Sequence, residues 1–75
     1  MINAEKIIEI ISSTGVVKDM SKFDPKKSFS DNGIDSLDSF TVFLAVEEQL
    51  GVKFSDEESV KIKSAAEMVD LLNSR

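Results

Sequence analysis

Four consecutive residues, Asp35-Ser36-Leu37-Asp38, hold the most legible chemistry of this chain: a hydroxyl between two carboxylates, where a loop gives way to a helix. A serine hydroxyl becomes a nucleophile at neutral pH only when a neighbouring base takes its proton. The 75 residues include no His and no Cys, and neither Lys26 nor Lys27 stands in a recognisable partnering pattern. Ser36 therefore lacks what a serine enzyme needs. At the first helical position it stands among free backbone N–H groups and at the positive end of the helix dipole, a setting that favours a phosphate diester. The same position suits a serine that merely tolerates a first turn, and the physical argument alone leaves both readings open.

Other constellations fail on spacing or ligand type. Ser30-Asp31-Asn32-Gly33-Ile34-Asp35 superficially resembles the glycine-centred loop of an EF-hand. With Gly33 at loop position six, however, position one is Ser28 and position twelve is Ser39, so the leading Asp and the bidentate Glu are both missing. Without His or Cys the usual zinc ligands are absent. A paired-carboxylate hydrolase needs a concavity that so short a chain scarcely provides, and acids on a solvated helix usually do no more than solubilise. No metal site and no catalytic residue is expected.

Charge narrows the partners. Fourteen acidic against nine basic residues give a net charge of -5. Between Asp31 and Glu58 eight acids (Asp31, Asp35, Asp38, Glu47, Glu48, Asp56, Glu57, Glu58) face one base, Lys53, while the remainder is slightly basic. Such a surface repels nucleic acid and anionic lipid and attracts basic protein faces. No signal segment or apolar run of spanning length is evident, so a cytoplasmic, monomeric protein with no membrane insertion is expected.

The elements that must position Ser36 follow from periodicity and caps. Ala4, Ile7, Ile8 and Ile11 recur at helical spacing between Asn3, an N-cap, and Gly15, a stop. Residues 15–34 hold Gly15, Gly33 and the only Pro, Pro25, and read as a long connection pinned by Val16, Val17, Phe23 and Phe29. Asp35 as N-cap with Asp38 three residues on opens a second helix that runs to Leu50 before Gly51. Ser55-x-x-Glu58 caps a short third helix over about 56–62, and Ser64-x-x-Glu67 a fourth over about 65–73. The expectation is an all-α, four-helix bundle in a single domain over residues 1–75, with a long loop between helices one and two and a short helix three.

The second helix carries more apolar surface than one core face needs. With Ser36 at zero and about 100° per residue, Val42, Val46, Leu50 and Phe43 fall between about 240° and 340°. Leu37, Phe40 and Leu44 fall between about 40° and 100°, flanked by Glu47 and Glu48. The second stripe is either core against another neighbour or an exposed docking face rimmed by carboxylates; the coincidence of charge and apolar surplus favours the latter.

The stretch Asn32-Gly33-Ile34-Asp35-Ser36-Leu37-Asp38-Ser39 resembles the G-x-D-S-L-D/E signature of the acyl carrier protein family, and chain length and helix plan agree over essentially all 75 residues. The resemblance implies that Ser36 bears a covalent 4′-phosphopantetheine arm, derived from coenzyme A by a magnesium-dependent phosphopantetheinyl transferase. It implies that acyl intermediates ride as thioesters between the loading, condensing and modifying enzymes of fatty-acid or polyketide-type biosynthesis. Asp35 and Asp38 match acids that help recognise the transferase and other basic partners. Leu37, Phe40 and Leu44 match the apolar interface stripe, Glu47 and Glu48 its acidic rim, and Glu57 and Ile62 positions near partner and cargo. The thiol then belongs to the arm, in keeping with a chain that has no Cys. Thr41 stands where primary fatty-acid carriers commonly have Glu, Phe40 is bulkier than the usual aliphatic, and Val60 stands where a charge is common, departures that weaken the case for a primary fatty-acid carrier and leave a specialised member open beside it. An aminoacyl or peptidyl carrier is the alternative within the class, disfavoured by the acids after Ser36; an unmodified acidic adaptor shares the surface but not the arm.

Overall fold

The computed structural model describes residues 2–75. Four α-helices follow one another: α1 (Ala4–Thr14), α2 (Ser36–Leu50), α3 (Asp56–Lys61) and α4 (Ala65–Asn73). Each starts at a side chain that accepts a backbone N–H of the first turn: Asn3 from Lys6, Asp35 from Asp38, Ser55 from Glu58 and Ser64 from Glu67. α1 and α2 stop at Gly15 and Gly51, both left-handed, with φ of 77° and 66°.

α1 packs against α2 and α4. It buries Ile7, Ile10 and Ile11, so the stripe that faces the core is centred one residue away from the sequence expectation; Ile8 is only half-buried at its flank. From α2 come Val42, Phe43 and Val46, and from α4 Ala65, Met68 and Leu72. The rings of Phe29 and Phe43 meet edge to face at 6.1 Å, and those of Phe43 and Phe54 at 5.3 Å, geometries that suit the ring quadrupole.

The long connection is more ordered than its sequence suggests. A single 3-10 turn forms at Met20–Lys22, capped by the Asp19 side chain, which accepts from the Ser21 N–H. Asn32 then staples the rest: its Oδ1 accepts from the Asp24 N–H at 2.8 Å, while its Nδ2 donates to the carbonyls of Asp24 at 2.9 Å and Ser28 at 3.0 Å. Two backbone bonds tie the loop to the far end of the chain: Phe29 N–H donates to Lys63 C=O at 2.7 Å, and Ala66 N–H to Pro25 C=O at 3.0 Å. These bonds seat Phe29 in the core and bring the loop alongside the α3–α4 connection.

α3 is held differently from the other helices, because none of its six residues is buried. Six residues are too few for a helix to stand on propensity alone. A complete capping box closes its start, with the Ser55 Oγ accepting from the Glu58 N–H and a Glu58 carboxylate oxygen accepting from the Ser55 N–H. The same oxygen of Glu58 accepts from Arg75 Nη2 at 2.7 Å, and the Arg75 guanidinium lies 5.6 Å from the centre of the Phe54 ring. The helix ends at Lys61 rather than at Ile62: Ile62 takes an extended backbone, φ −77° and ψ 111°, which turns its side chain into the core.

Candidate functional site

Asp35 sets the geometry around Ser36. Its extended backbone halts the loop, its Oδ1 accepts from the Asp38 N–H at 2.8 Å, and its carbonyl accepts the first intrahelical bond from the Ser39 N–H at 2.8 Å. Gly33, at φ 79°, makes the turn that brings the chain to this start. Ser36 is the first residue of α2, exposed, and the N–H groups of Ser36 and Leu37 precede the first possible intrahelical acceptor. An anion on the Ser36 oxygen would meet these donors and the positive end of a 15-residue helix. The residues present therefore fit a phosphodiester at this position.

Ser36 opens onto an open cleft of about 510 Å³ between the loop, the start of α2 and α3. Phe29, Ile34, Phe43 and Ile62 are buried and form its floor; Phe40 of α2 and Val60 of α3 stand at its lip. Ser39 of α2, Ser59 of α3 and Lys63 of the α3–α4 connection also line it.

The second apolar stripe of α2 is a surface. Leu37 is 77% exposed, Phe40 60% and Leu44 47%, with Val60 of α3 at 70%. Asp35, Glu48 and Glu57 are exposed beside it, and Asp38 is half-buried. Two of the expected surface residues are placed otherwise. Glu47 is half-buried and its carboxylate accepts from the Phe54 N–H at 2.8 Å, so it anchors the segment before α3 as well as bordering the stripe. Ile62 is 5% exposed and belongs to the cleft floor, which removes it from any protein-docking surface while leaving it next to whatever enters the cleft.

Sequence reasoning did not single out Ser39, Ser59 or Lys63 for the site. Ser39 was findable, since it lies three residues after Ser36 on the same helix face. Lys63 reaches the site only because the loop pairs with the α3–α4 connection, which no local pattern announces. The Ser55 backbone N–H, and after it the Arg75 guanidinium, hold the Glu58 carboxyl below the ordinary value of 4.5.

Residues 5–72 match the model of the phosphopantetheine attachment site family. The chain is 34% identical over 79 aligned positions to an acyl carrier protein of Thermosynechococcus vestitus, covering 97% of this chain and 95% of that protein. It is 37% identical to an acyl carrier protein of Chlorobium phaeobacteroides, over 91% of this chain and 87% of the relative. A mitochondrial acyl carrier protein of Dictyostelium discoideum is 37% identical over 91% of this chain and 56% of its own length. A capped all-helical domain with an exposed serine at a helix start and matches of this extent define a phosphopantetheine-dependent carrier, and the chain belongs to the acyl carrier protein family. It is a carrier of acyl intermediates and not an enzyme, its cofactor is covalent 4′-phosphopantetheine, and phosphopantetheinyl transferase and biosynthetic enzymes are its partners in general. Among the described residues no helix is long and apolar enough to cross a membrane.

Proposed function

We propose that Ser36 is the attachment point of the phosphopantetheine arm, and that the α2 stripe with its acids is where partner enzymes dock. The observation that carries this is the exposed hydroxyl at the first position of α2, between Asp35 and Asp38, with uncommitted N–H donors beside it. When bound, the arm supplies a thiol on a long flexible tether, to which an acyl group is joined as a thioester. The protein's own residues do the rest. The α2 N–H groups and dipole offset the phosphodiester charge, and the Asp35 cap keeps the helix start fixed under it.

Leu37, Phe40 and Leu44 give a partner an apolar seat next to the attachment point, and Asp35, Asp38, Glu48 and Glu57 steer a basic enzyme face onto it. Glu47 contributes to this rim from its place beside Phe54, and Ile62 meets cargo rather than partners. Rim charges raise association rates more than they lengthen residence, which suits a carrier that must leave each enzyme after use. Thr41 and Val60 leave two positions of this face uncharged, which supports a partner set of fatty-acid or polyketide-type enzymes in the cytoplasm that do not need a charge there.

The test is intact mass after incubation with coenzyme A, magnesium and a broad-specificity transferase. The wild-type chain gains one phosphopantetheine and Ser36→Ala gains none. Modification that survives the substitution refutes the assignment.

A further inference from the structure

Of the three asparagines, Asn3, Asn32 and Asn73, Asn32 alone is followed by glycine. An Asn-Gly pair carries latent chemistry, because a glycine without a Cβ leaves its backbone nitrogen free to reach the carbonyl carbon of the preceding side chain. Nothing stands within 4 Å of where a Gly33 Cβ would be, so no neighbour crowds that approach either. The closed loop nevertheless commits both reacting groups to other bonds. The Gly33 N–H donates to the Ser30 carbonyl at 3.0 Å. Asn32 Oδ1 accepts from the Asp24 N–H, and its Nδ2 donates to the carbonyls of Asp24 and Ser28. Bringing the Gly33 nitrogen onto Asn32 Cγ requires the amide to turn out of these bonds, which a local opening of residues 24–34 provides.

We propose that Asn32 is a site of spontaneous covalent change, guarded while the loop is closed and converted to aspartyl or isoaspartyl when it opens, and that the product cannot restore the loop that leads to Ser36. In the first step the Gly33 nitrogen bonds to Asn32 Cγ and gives up its proton. The Cγ–Nδ2 bond breaks, and Nδ2 leaves with that proton as ammonia, so that a cyclic imide remains. Water then opens the imide: cleavage at Cγ gives aspartyl, and cleavage at the main-chain carbonyl gives isoaspartyl, whose backbone runs through Cβ and Cγ. Neither step is a reduction or an oxidation. Either product lacks the Nδ2 donor. A carboxylate oxygen in its place would face the carbonyl oxygens of Asp24 and Ser28, which stand 2.9 and 3.0 Å from the present nitrogen, with no proton between them. Isoaspartyl also lengthens the main chain by a methylene beside the Gly33 turn, where φ is 79° and the Ile34 N–H donates to the Phe29 carbonyl at 2.8 Å. The change is one-way: opening exposes the pair, and the product keeps the connection loose just ahead of the Asp35 cap.

The test incubates the purified chain at a fixed, mildly alkaline pH beside a peptide of residues 28–36, and peptide maps follow the mass gain of amide-to-acid exchange at Asn3, Asn32 and Asn73. Asn32 is expected to convert ahead of the other two, yet at least about tenfold more slowly than in the peptide, the factor for an opening cost of roughly 1.4 kcal/mol. Two variants loosen the loop without touching the pair. Asp24→Ala removes the carboxylate that accepts from the Lys26 N–H at 2.9 Å, and Ser28→Ala the hydroxyl that accepts from the Asp31 N–H at 3.0 Å. Each should move the rate toward that of the peptide while circular dichroism stays helical. The aged chain and Asn32→Asp should both show faster hydrogen exchange at Phe29 and Ile34 and slower arm loading by transferase than the fresh chain. Conversion at Asn32 no faster than at Asn3 and Asn73, a rate equal to that of the peptide, a rate untouched by both loop variants, or unchanged exchange in the aged chain overturns the proposal. The loading readout rests on Ser36 bearing the arm: a fresh chain that takes no arm would overturn that assignment, while the maps and the exchange would still decide this one.

Discussion

Ser55→Ala tests whether α3 opens on its own. The substitution removes the hydroxyl that accepts from the Glu58 N–H at 3.1 Å, and leaves the reciprocal bond from the Ser55 N–H to the Glu58 carboxylate at 2.9 Å. Loss of an N-cap of this kind costs about 1 kcal/mol. α3 has no buried residue of its own to absorb that loss, so the cost falls on the opening of this helix. The amides that report it are those of Ser59 and Ile62, bonded at 3.0 Å to the carbonyls of Ser55 and Glu58. Native-state hydrogen exchange at these two positions should accelerate about fivefold, the factor that corresponds to 1 kcal/mol. Amides in the middle of α1 and α2 should keep their protection. If α3 instead unfolded only with the whole domain, the same cost would lower the melting temperature by roughly 4–8 °C and raise exchange everywhere by a common factor. That pattern would refute the reasoning and make α3 part of the cooperative core.

Acid should loosen the same element. Glu58 is held below its ordinary value of 4.5 by the Ser55 N–H and Arg75, so its contribution is complete above pH 4.5 and is lost as pH falls through the folded-state value; exchange at Ile62 should rise in that window, and Glu58→Gln should flatten the dependence. Phe40→Glu and Leu44→Glu should slow acyl transfer by partner enzymes while circular dichroism and melting temperature stay near wild type, because both side chains already face solvent; cooperative unfolding would mean that they belong to the core. Asn32→Ala should lower stability by about 2 kcal/mol in urea titration, since it strips the donor from the carbonyls of Asp24 and Ser28.

Much of the fold was legible because its boundaries are chemical. Asn3, Asp35, Ser55 and Ser64 cap the helices that their spacing announced, and Gly15 and Gly51 end two of them. The surplus stripe of α2 was legible as a pattern, but only three dimensions could decide that Leu37, Phe40 and Leu44 lie outside the core. What escaped sequence reading depends on partners distant along the chain. Asn32 reads as a loop residue until Asp24, eight positions earlier, supplies both a donor and an acceptor to its amide. Ile62 reads as the last residue of a helix until burial pulls it out of helical geometry, and Glu47 as a surface acid until the Phe54 N–H finds it. Of the candidate site, Ser36 and its flanking acids stood out through the family resemblance, whereas the cleft that they border did not, since its floor is assembled from the loop, α2 and the α3 cap.

The two backbone bonds that cross from the loop to the α3–α4 connection give the cleft a fixed edge. Phe29 and Lys63, which both line the cleft, are joined by a 2.7 Å main-chain bond, and Pro25 and Ala66, outside it, by one of 3.0 Å, so this edge is held by backbone contacts. The opposite edge, between Phe40 and Val60, is spanned by exposed side chains alone. The cleft is thus bounded by main-chain hydrogen bonds at one edge and by side chains at another, Phe40 of the apolar stripe among them. A change in what occupies the cleft is therefore expected to move Phe40 and Val60 before it moves Phe29 or Lys63.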